Sequence, residues 1–417
     1  IILGHYVGES GIAIVGVANP INFIVMGFLI GSAYGFGVIM ARSFGAGDFK
    51  EFRKYFFNSI ILSIIIGIVF TIVLSLVNSY LLKLISTPAE LFDGAHKFLF
   101  ILYIGCASSL IYNLFAATLR SIGNSFTPVL FLLLSVVINA ILAYVFVAIF
   151  SWGVEGSAVA TIIAQAASAL CCYIYINRKY PQIRLTKQDA VLDISHMKNL
   201  ILQGAPMGMQ FSFTGIGLIV VQKFLNGFGT NYIAGYSVGV RIQNIVSYVY
   251  VALGTAISTF ISQNIGAKRM YRIPKAVKYT TLITIGCAIF STIVIRFFGP
   301  NFISLFTTTP NEELTHATVT YFNNVTLAYI PLGLIILYRS ALQGYGFPIT
   351  AMMAGIIELI NRVVIVIFLT DSFGFLAICL ADSVNWVITA VFLLTVYFIA
   401  TRSHKNKNKE FYIEPSM

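Results

Sequence analysis

Charge is what this sequence has least of. Asp, Glu, Lys and Arg make up only 10% of its 417 residues, where a soluble domain carries about 25%. Water cannot solvate a surface so poor in charge, so a soluble globular fold is excluded. Histidine and cysteine are thin as well, five of each. Cys106, Cys171, Cys172, Cys287 and Cys379 lie inside apolar runs with no ligand spacing, which reads as small core residues rather than disulfides or a metal site. His5, His96, His196, His316 and His404 fall near the ends of those runs. Neither a metal centre nor a cofactor is expected. An intramembrane enzyme is not expected either, because it needs a nucleophile and a base converging in the interior. The G-x-x-x-x-G-K-[ST] phosphate loop is missing, which argues against a nucleotide-driven pump. Nothing resembles a channel's selectivity filter, and the short alternating segments of a β-barrel do not dominate.

What fills the sequence instead is apolar: 58% hydrophobic residues and a mean hydropathy of +0.88. A spanning helix needs about 20 mostly apolar residues. Such runs occur near 12–40, 55–84, 98–119, 128–150, 154–176, 200–225, 233–261, 277–306, 319–342, 349–369 and 373–400. They predict an all-α polytopic membrane protein of eleven whole spans. A polar connector, 177–199, separates the fifth span from the sixth, and the polar end, 401–417, reads as a tail without fixed structure. Bases gather after alternate spans: Arg42, Lys50, Arg53 and Lys54; Arg120; Arg178 to Lys198; Lys268 to Lys278; Arg339; and Arg402 to Lys409. The opposite loops hold acids such as Glu90, Asp93, Glu155, Glu312, Glu313 and Asp371. The positive-inside rule places the basic loops, connector and tail in the cytoplasm. The net charge of +11 therefore reflects topology, and no nucleic-acid partner is expected.

The chain also says the same thing twice. RSFGAGDFKEFRK at 42–54 is answered 221 positions later by QNIGAKRMYRIPK at 263–275. At that shift Ile12-Ala13 matches Ile233-Ala234 and Gly45-Ala46 matches Gly266-Ala267. With small gaps, Thr87-Pro88 matches Thr309-Pro310, LRSIG at 119–123 matches LQGYG at 342–346, and Ile138-Asn139 matches Ile360-Asn361. The copies form an N-terminal lobe, 1–176, and a C-terminal lobe, 200–400. The span at 200–225 has a first-copy counterpart that would end at the stub 1–4, so the intact protein is expected to hold six helices plus six, with about 20–35 residues upstream of Ile1. Units of six helices enter the membrane in the same orientation, as parallel repeats, and such repeats suit alternating access in secondary transport.

The stretches GHYVGESGIAIVGVANP at 4–20, RSFGAGDFKEF at 42–52, LRSIGNSFTP at 119–128 and GVEGSAVATIIAQ at 153–165 resemble the multidrug and toxic compound extrusion (MATE) family over essentially the whole chain. The resemblance implies a twelve-helix fold with its first helix almost wholly missing here. It also implies a monomeric efflux antiporter of the bacterial plasma (inner) membrane, with both termini of the intact protein cytoplasmic. Such a protein exports cationic or amphipathic compounds in exchange for H⁺ or Na⁺. The wider superfamily also flips lipid-linked precursors or polysaccharide units, and that is the alternative.

In similar prokaryotic members, polar residues at the places of Asn113, Asn139 and Thr161 line a cation site together with two aspartates. One aspartate falls upstream of Ile1. The other would stand at 143, where this chain has Ala143. For each of the three polar residues the other reading is an ordinary interhelical hydrogen bond, worth about 0.6–2 kcal/mol. The second copy supplies the carboxylates that a coupling site needs. Glu358 and Arg362 are four apart and share a helix face, so they are expected to pair, as part of an ion pathway or as a structural lock. Asp382 is either a second intramembrane acid or a solvated residue near a helix end, with Asn385 and Trp386 beside it. Gln210 is a substrate-cavity candidate with Asn385. Met207 reads either as adaptable cavity lining or as core packing.

Overall fold

The computed structural model describes residues 2–303 and 311–413, and the Thr309-Pro310 match lies outside them. Those residues are helical and contain no strand. A short helix α1 (Ile2–Tyr6) precedes α2 (Glu9–Gly45), α3 (Phe49–Leu84), α4 (Ala89–Ile104) and α5 (Cys106–Ser121). Then come α6 (Phe126–Tyr144), closed by a π turn at Val145–Ile149, and α7 (Gly153–Lys179). After the connector follow α8 (Ile194–Leu225), α9 (Thr230–Gly266), α10 (Arg272–Ile303), α11 (Glu312–Val325), α12 (Tyr329–Tyr345), α13 (Pro348–Phe373) and α14 (Phe375–Lys407). Among the described residues ten helical segments are long and apolar enough to cross a membrane, and the α4–α5 pair, bent by 47°, makes eleven. This is a multi-pass membrane protein. The bend falls at Gly105, where the chain passes from one helix directly into the next.

The repeat is written into the backbone. α2 and α9 are each 37 residues long and start and stop at positions 221 apart. Gly8 and Gly229 precede them in the same left-handed conformation, φ 81° and 91°, that glycine adopts without steric cost. Ala46 and Ala267 close them with equivalent backbone hydrogen bonds. The next residue has positive φ in both copies, yet it is Gly47 in one and Lys268 in the other. A β-carbon in that region costs energy, about 1–3 kcal/mol, so Lys268 holds a turn that the first copy gives to glycine.

The chain divides into two compact units, 1–212 and 213–417, with the division inside α8. In the first unit, Gly27, Gly31 and Gly35 form one stripe on α2. A Cβ on Gly31 would lie 2.5 Å from the Met207 carbonyl oxygen, and one on Gly35 would lie 2.5 Å from the Cα of Gly204. Small residues at this spacing let two membrane helices touch backbone to backbone. The core of the second unit is aromatic: Tyr250, Tyr321 and Tyr329 are fully buried within it.

The connector is folded onto α3. Arg53 Nε lies 2.9 Å from Asp189 Oδ2 and its Nη1 donates to the Gln182 carbonyl. Asn58 Nδ2 donates to the Val191 carbonyl and its Oδ1 accepts from the Asp193 amide. His196 is buried, with Nε2 2.9 Å from Glu51 Oε1 and Nδ1 2.7 Å from Asp193 Oδ2. Burial by itself would raise the Asp189 carboxyl, but hydrogen bonds from the Thr186 hydroxyl and amide, with Arg53, outweigh it and hold the group below its ordinary value of 3.8. A depressed carboxyl stabilises fully above about pH 4 and loses that contribution as pH falls through its folded value. Asp189→Asn is expected to loosen the strap at neutral pH and speed tryptic cleavage at Arg184 and Lys187. Unchanged cleavage would show that the strap is held by its other bonds.

The end of the chain departs from expectation too. α14 runs on to Lys407, and a turn at Lys409–Tyr412 returns to the molecule. The Tyr271 amide donates to the Phe411 carbonyl, Lys268 sits 5.4 Å over the Phe411 ring, and Tyr412 meets His404 edge-on. Two aromatic residues give this polar segment something to bury, so its described part folds back onto the molecule.

Candidate functional site

In the first unit the three polar candidates lie on α5, α6 and α7. Asn139 Nδ2 donates to Thr161 Oγ1 at 3.0 Å, and that hydroxyl donates to the Ser157 carbonyl. Asn113 instead donates back to the Ser109 carbonyl of its own helix. α5 and α7 are joined through Ser109, whose hydroxyl donates to Gln165, a pair the sequence reading did not single out. Ala143 is buried. Among the described residues this cluster is built of amides and hydroxyls, and its hydrogen bonds involve no carboxylate. Met207 and Gln210 are both buried in α8; Met207 packs at the α2 crossing, where its sulfur accepts a weak bond from Gln203.

The charges are in the second unit, and their pairing differs from the expected one. Glu358 does not bond Arg362, although both lie on α13. Its Oε1 accepts from Arg339 of α12, and Thr214 Oγ1 of α8 lies 3.3 Å from its Oε2. Arg362 reaches the next helix instead, with Nε 3.1 Å from Asp382 Oδ1. The reason is directional: the long side chains lean off α13 toward different neighbours, and each carboxylate meets a guanidinium on another helix. Arg339, counted above among cytoplasmic loop bases, sits inside α12 with only 11% of its side chain exposed. Asp382 is no solvated end residue, being 3% exposed within α14.

Tyrosines complete the surroundings. Tyr236 of α9 and Tyr321 of α11 both stand near Asp382, and Tyr321 donates to Gln243 Oε1 at 2.7 Å. Asn385 is fully buried; its Oδ1 accepts from Asn361 and Thr389 while Nδ2 has no partner. Arg362 Nη1 and Arg339 Nε also lack partners. Sequence reasoning missed Arg339, Thr214 and Tyr236, because helices α8, α9 and α12 come together with α13 and α14 only in three dimensions. The one available signal was that Arg339 stands next to a run of otherwise apolar residues.

Two bridged pairs therefore occupy the interior of one unit: two carboxylates, two guanidinium groups, formally neutral together. A buried unpaired charge costs several kcal/mol, so each added proton or cation must be balanced inside the site or expelled. Among the described residues no group of His, Cys, Asp and Glu could hold a metal ion.

The MatE family model matches residues 1–145 and 206–368. A relative described as a probable multidrug resistance protein, YpnP of Bacillus subtilis, is 25% identical over 315 residues, covering 74% of this chain and 69% of its own. A FAD transporter of Shewanella oneidensis is 22% identical over 364 residues, covering 85% of this chain and 78% of its own. A solved structure of a MATE protein in the bent conformation superposes with a TM-score of 0.88 at 18% identity, over 99% of this chain and 91% of the other. That likeness speaks for the fold, and the family model for descent. With its repeated helices, its membrane-spanning composition and these matches along most of its length, the chain belongs to the MatE family of multidrug efflux transporters.

Proposed function

We propose that the protein is an ion-driven efflux antiporter of the bacterial plasma membrane. In this reading it exports small amphipathic compounds by alternating access, works as a monomer, and keeps both termini of the intact protein in the cytoplasm. The observation that carries the reading is the pair of buried Arg–carboxylate bridges on α12, α13 and α14. Ionisable residues inside a membrane are costly and mark ion or substrate pathways. Among the described residues of the first unit no acid bonds Asn139 or Thr161, and the buried acids Glu358 and Asp382 of the second unit are the coupling candidates on which this reading rests. The relative named for multidrug resistance supports export over the flipping of lipid-linked precursors.

Cells lacking their own pumps are expected to accumulate less ethidium when they express the protein. Glu358→Gln keeps the shape and removes the charge. It is expected to lower gradient-driven efflux by about tenfold or more while the protein stays folded in the membrane. Parental efflux at every pH would show that Glu358 takes no part in coupling. Rescue of a flippase-deficient strain without any change in ethidium accumulation would overturn the efflux reading.

A further inference from the structure

Arg362 is placed oddly for a structural lock. Glu358 lies one turn before it on the same helix, the nearest carboxylate in sequence, yet the guanidinium bonds Asp382 across to α14. Its Nη1 is without a partner although the residue is only 5% exposed. The wall beside it is Gly217 of α8. A Cβ there would stand 3.3 Å from Arg362 Cδ and 3.5 Å from Nη1. A glycine at this place leaves the guanidinium unpinned, and a larger side chain would fix it.

We propose that Arg362 is a tethered counter-cation that moves between Asp382 and Glu358 as the coupling proton binds and leaves. The inference rests on the antiport reading and deepens it. The charges decide the cycle. At rest Arg339, Arg362, Glu358 and Asp382 sum to zero. A proton taken up by an Asp382 oxygen neutralises that carboxylate and breaks its bond to Arg362. The guanidinium then shares Glu358 with Arg339, one turn back on α13. The site now carries one excess positive charge. A cationic group of the substrate at rest would add one as well. In a low-dielectric interior two such charges are far costlier than one, so proton and substrate cation exclude each other, one for one. Loss of the proton returns Arg362 to Asp382 and restores the neutral site.

The surroundings select the proton over Na⁺. Asp382 faces Arg362, Tyr236, Tyr321 and Cys379; Glu358 faces Arg339, Arg362 and Thr214. Those of them that bond the carboxylate oxygens bring hydrogens to them, whereas Na⁺, like other hard cations, takes a cage of oxygen ligands.

The test uses the protein reconstituted in liposomes, with ethidium as the cationic probe and imposed H⁺ or Na⁺ gradients. Export is expected under the H⁺ gradient and not under Na⁺ alone. Gly217→Val touches neither carboxylate. It is expected to bind ethidium within about twofold of the parent yet to lose about tenfold in H⁺-driven turnover. Arg362→Gln leaves the site with a net negative charge. It is expected to lower KM and kcat together, holding the cation about tenfold tighter and releasing it slowly. A merely structural ion pair would instead weaken binding and turnover alike, and that result for Arg362→Gln overturns the proposal. So does a folded Gly217→Val that exports at the parental rate, which also decides the matter if Arg362→Gln fails to fold. Absence of gradient-driven export in the parent overturns the antiport reading itself.

Discussion

Gly35→Leu should leave little folded protein in the membrane. The α2 stripe of Gly27, Gly31 and Gly35 meets the stretch of α8 that carries Gly204 and Gly208. At Gly35 a bare Cβ would sit 2.5 Å from the Gly204 Cα and 2.8 Å from the Gln203 carbonyl oxygen, and both neighbours are backbone. Backbone cannot swing aside as a side-chain tip does, so the helices must part. Overpacking a filled core costs about 1–3 kcal/mol and sometimes more, and parting two helices also forfeits their dispersion contacts along the crossing. Gly16→Leu is the control, because nothing lies within 4 Å of a Cβ there. Membrane yield and thermal unfolding in detergent give the comparison. Equal yields for the two variants would mean that the α2–α8 crossing contributes nothing to folding.

Asp382→Leu should be nearly as damaging, for an electrostatic reason. It strands the Arg362 guanidinium, 5% exposed and already short of one partner, in the interior of the unit. Breaking one partner out of a buried ion pair costs about 3–5 kcal/mol, whereas replacing both by apolar groups is often neutral. The double variant Arg362→Leu with Asp382→Leu should therefore recover folded protein while exporting nothing. Unfolding temperatures of the parent, the single and the double variant check this. A double variant no more stable than Asp382→Leu alone would show that the pair does not act through its charge.

Much of the fold was legible because a membrane imposes a strict demand. Every span must be apolar and about 20 residues long, so the eleven runs seen in sequence return as helices, and the 221-residue repeat returns as paired ends, Gly8 with Gly229 and Ala46 with Ala267. The site was legible only in part. Asn139 and Thr161 do meet. Glu358, Arg362 and Asp382 were recognised as buried-charge candidates, but their pairing was misjudged, because helical spacing gives the face a residue shares and not the helix it faces.

The sequence by itself determined the solvent of this protein, the number and rough position of its spans and their duplication, since each depends on local composition and on spacing along one chain. Only the tertiary structure decided which guanidinium serves which carboxylate, that Arg339 is an interior residue, and that Gly217 leaves room beside Arg362. Those depend on where α8, α12, α13 and α14 lie beside one another, and that is set by side-chain packing between separate helices, with α8 more than a hundred residues before the other three, which no local pattern records.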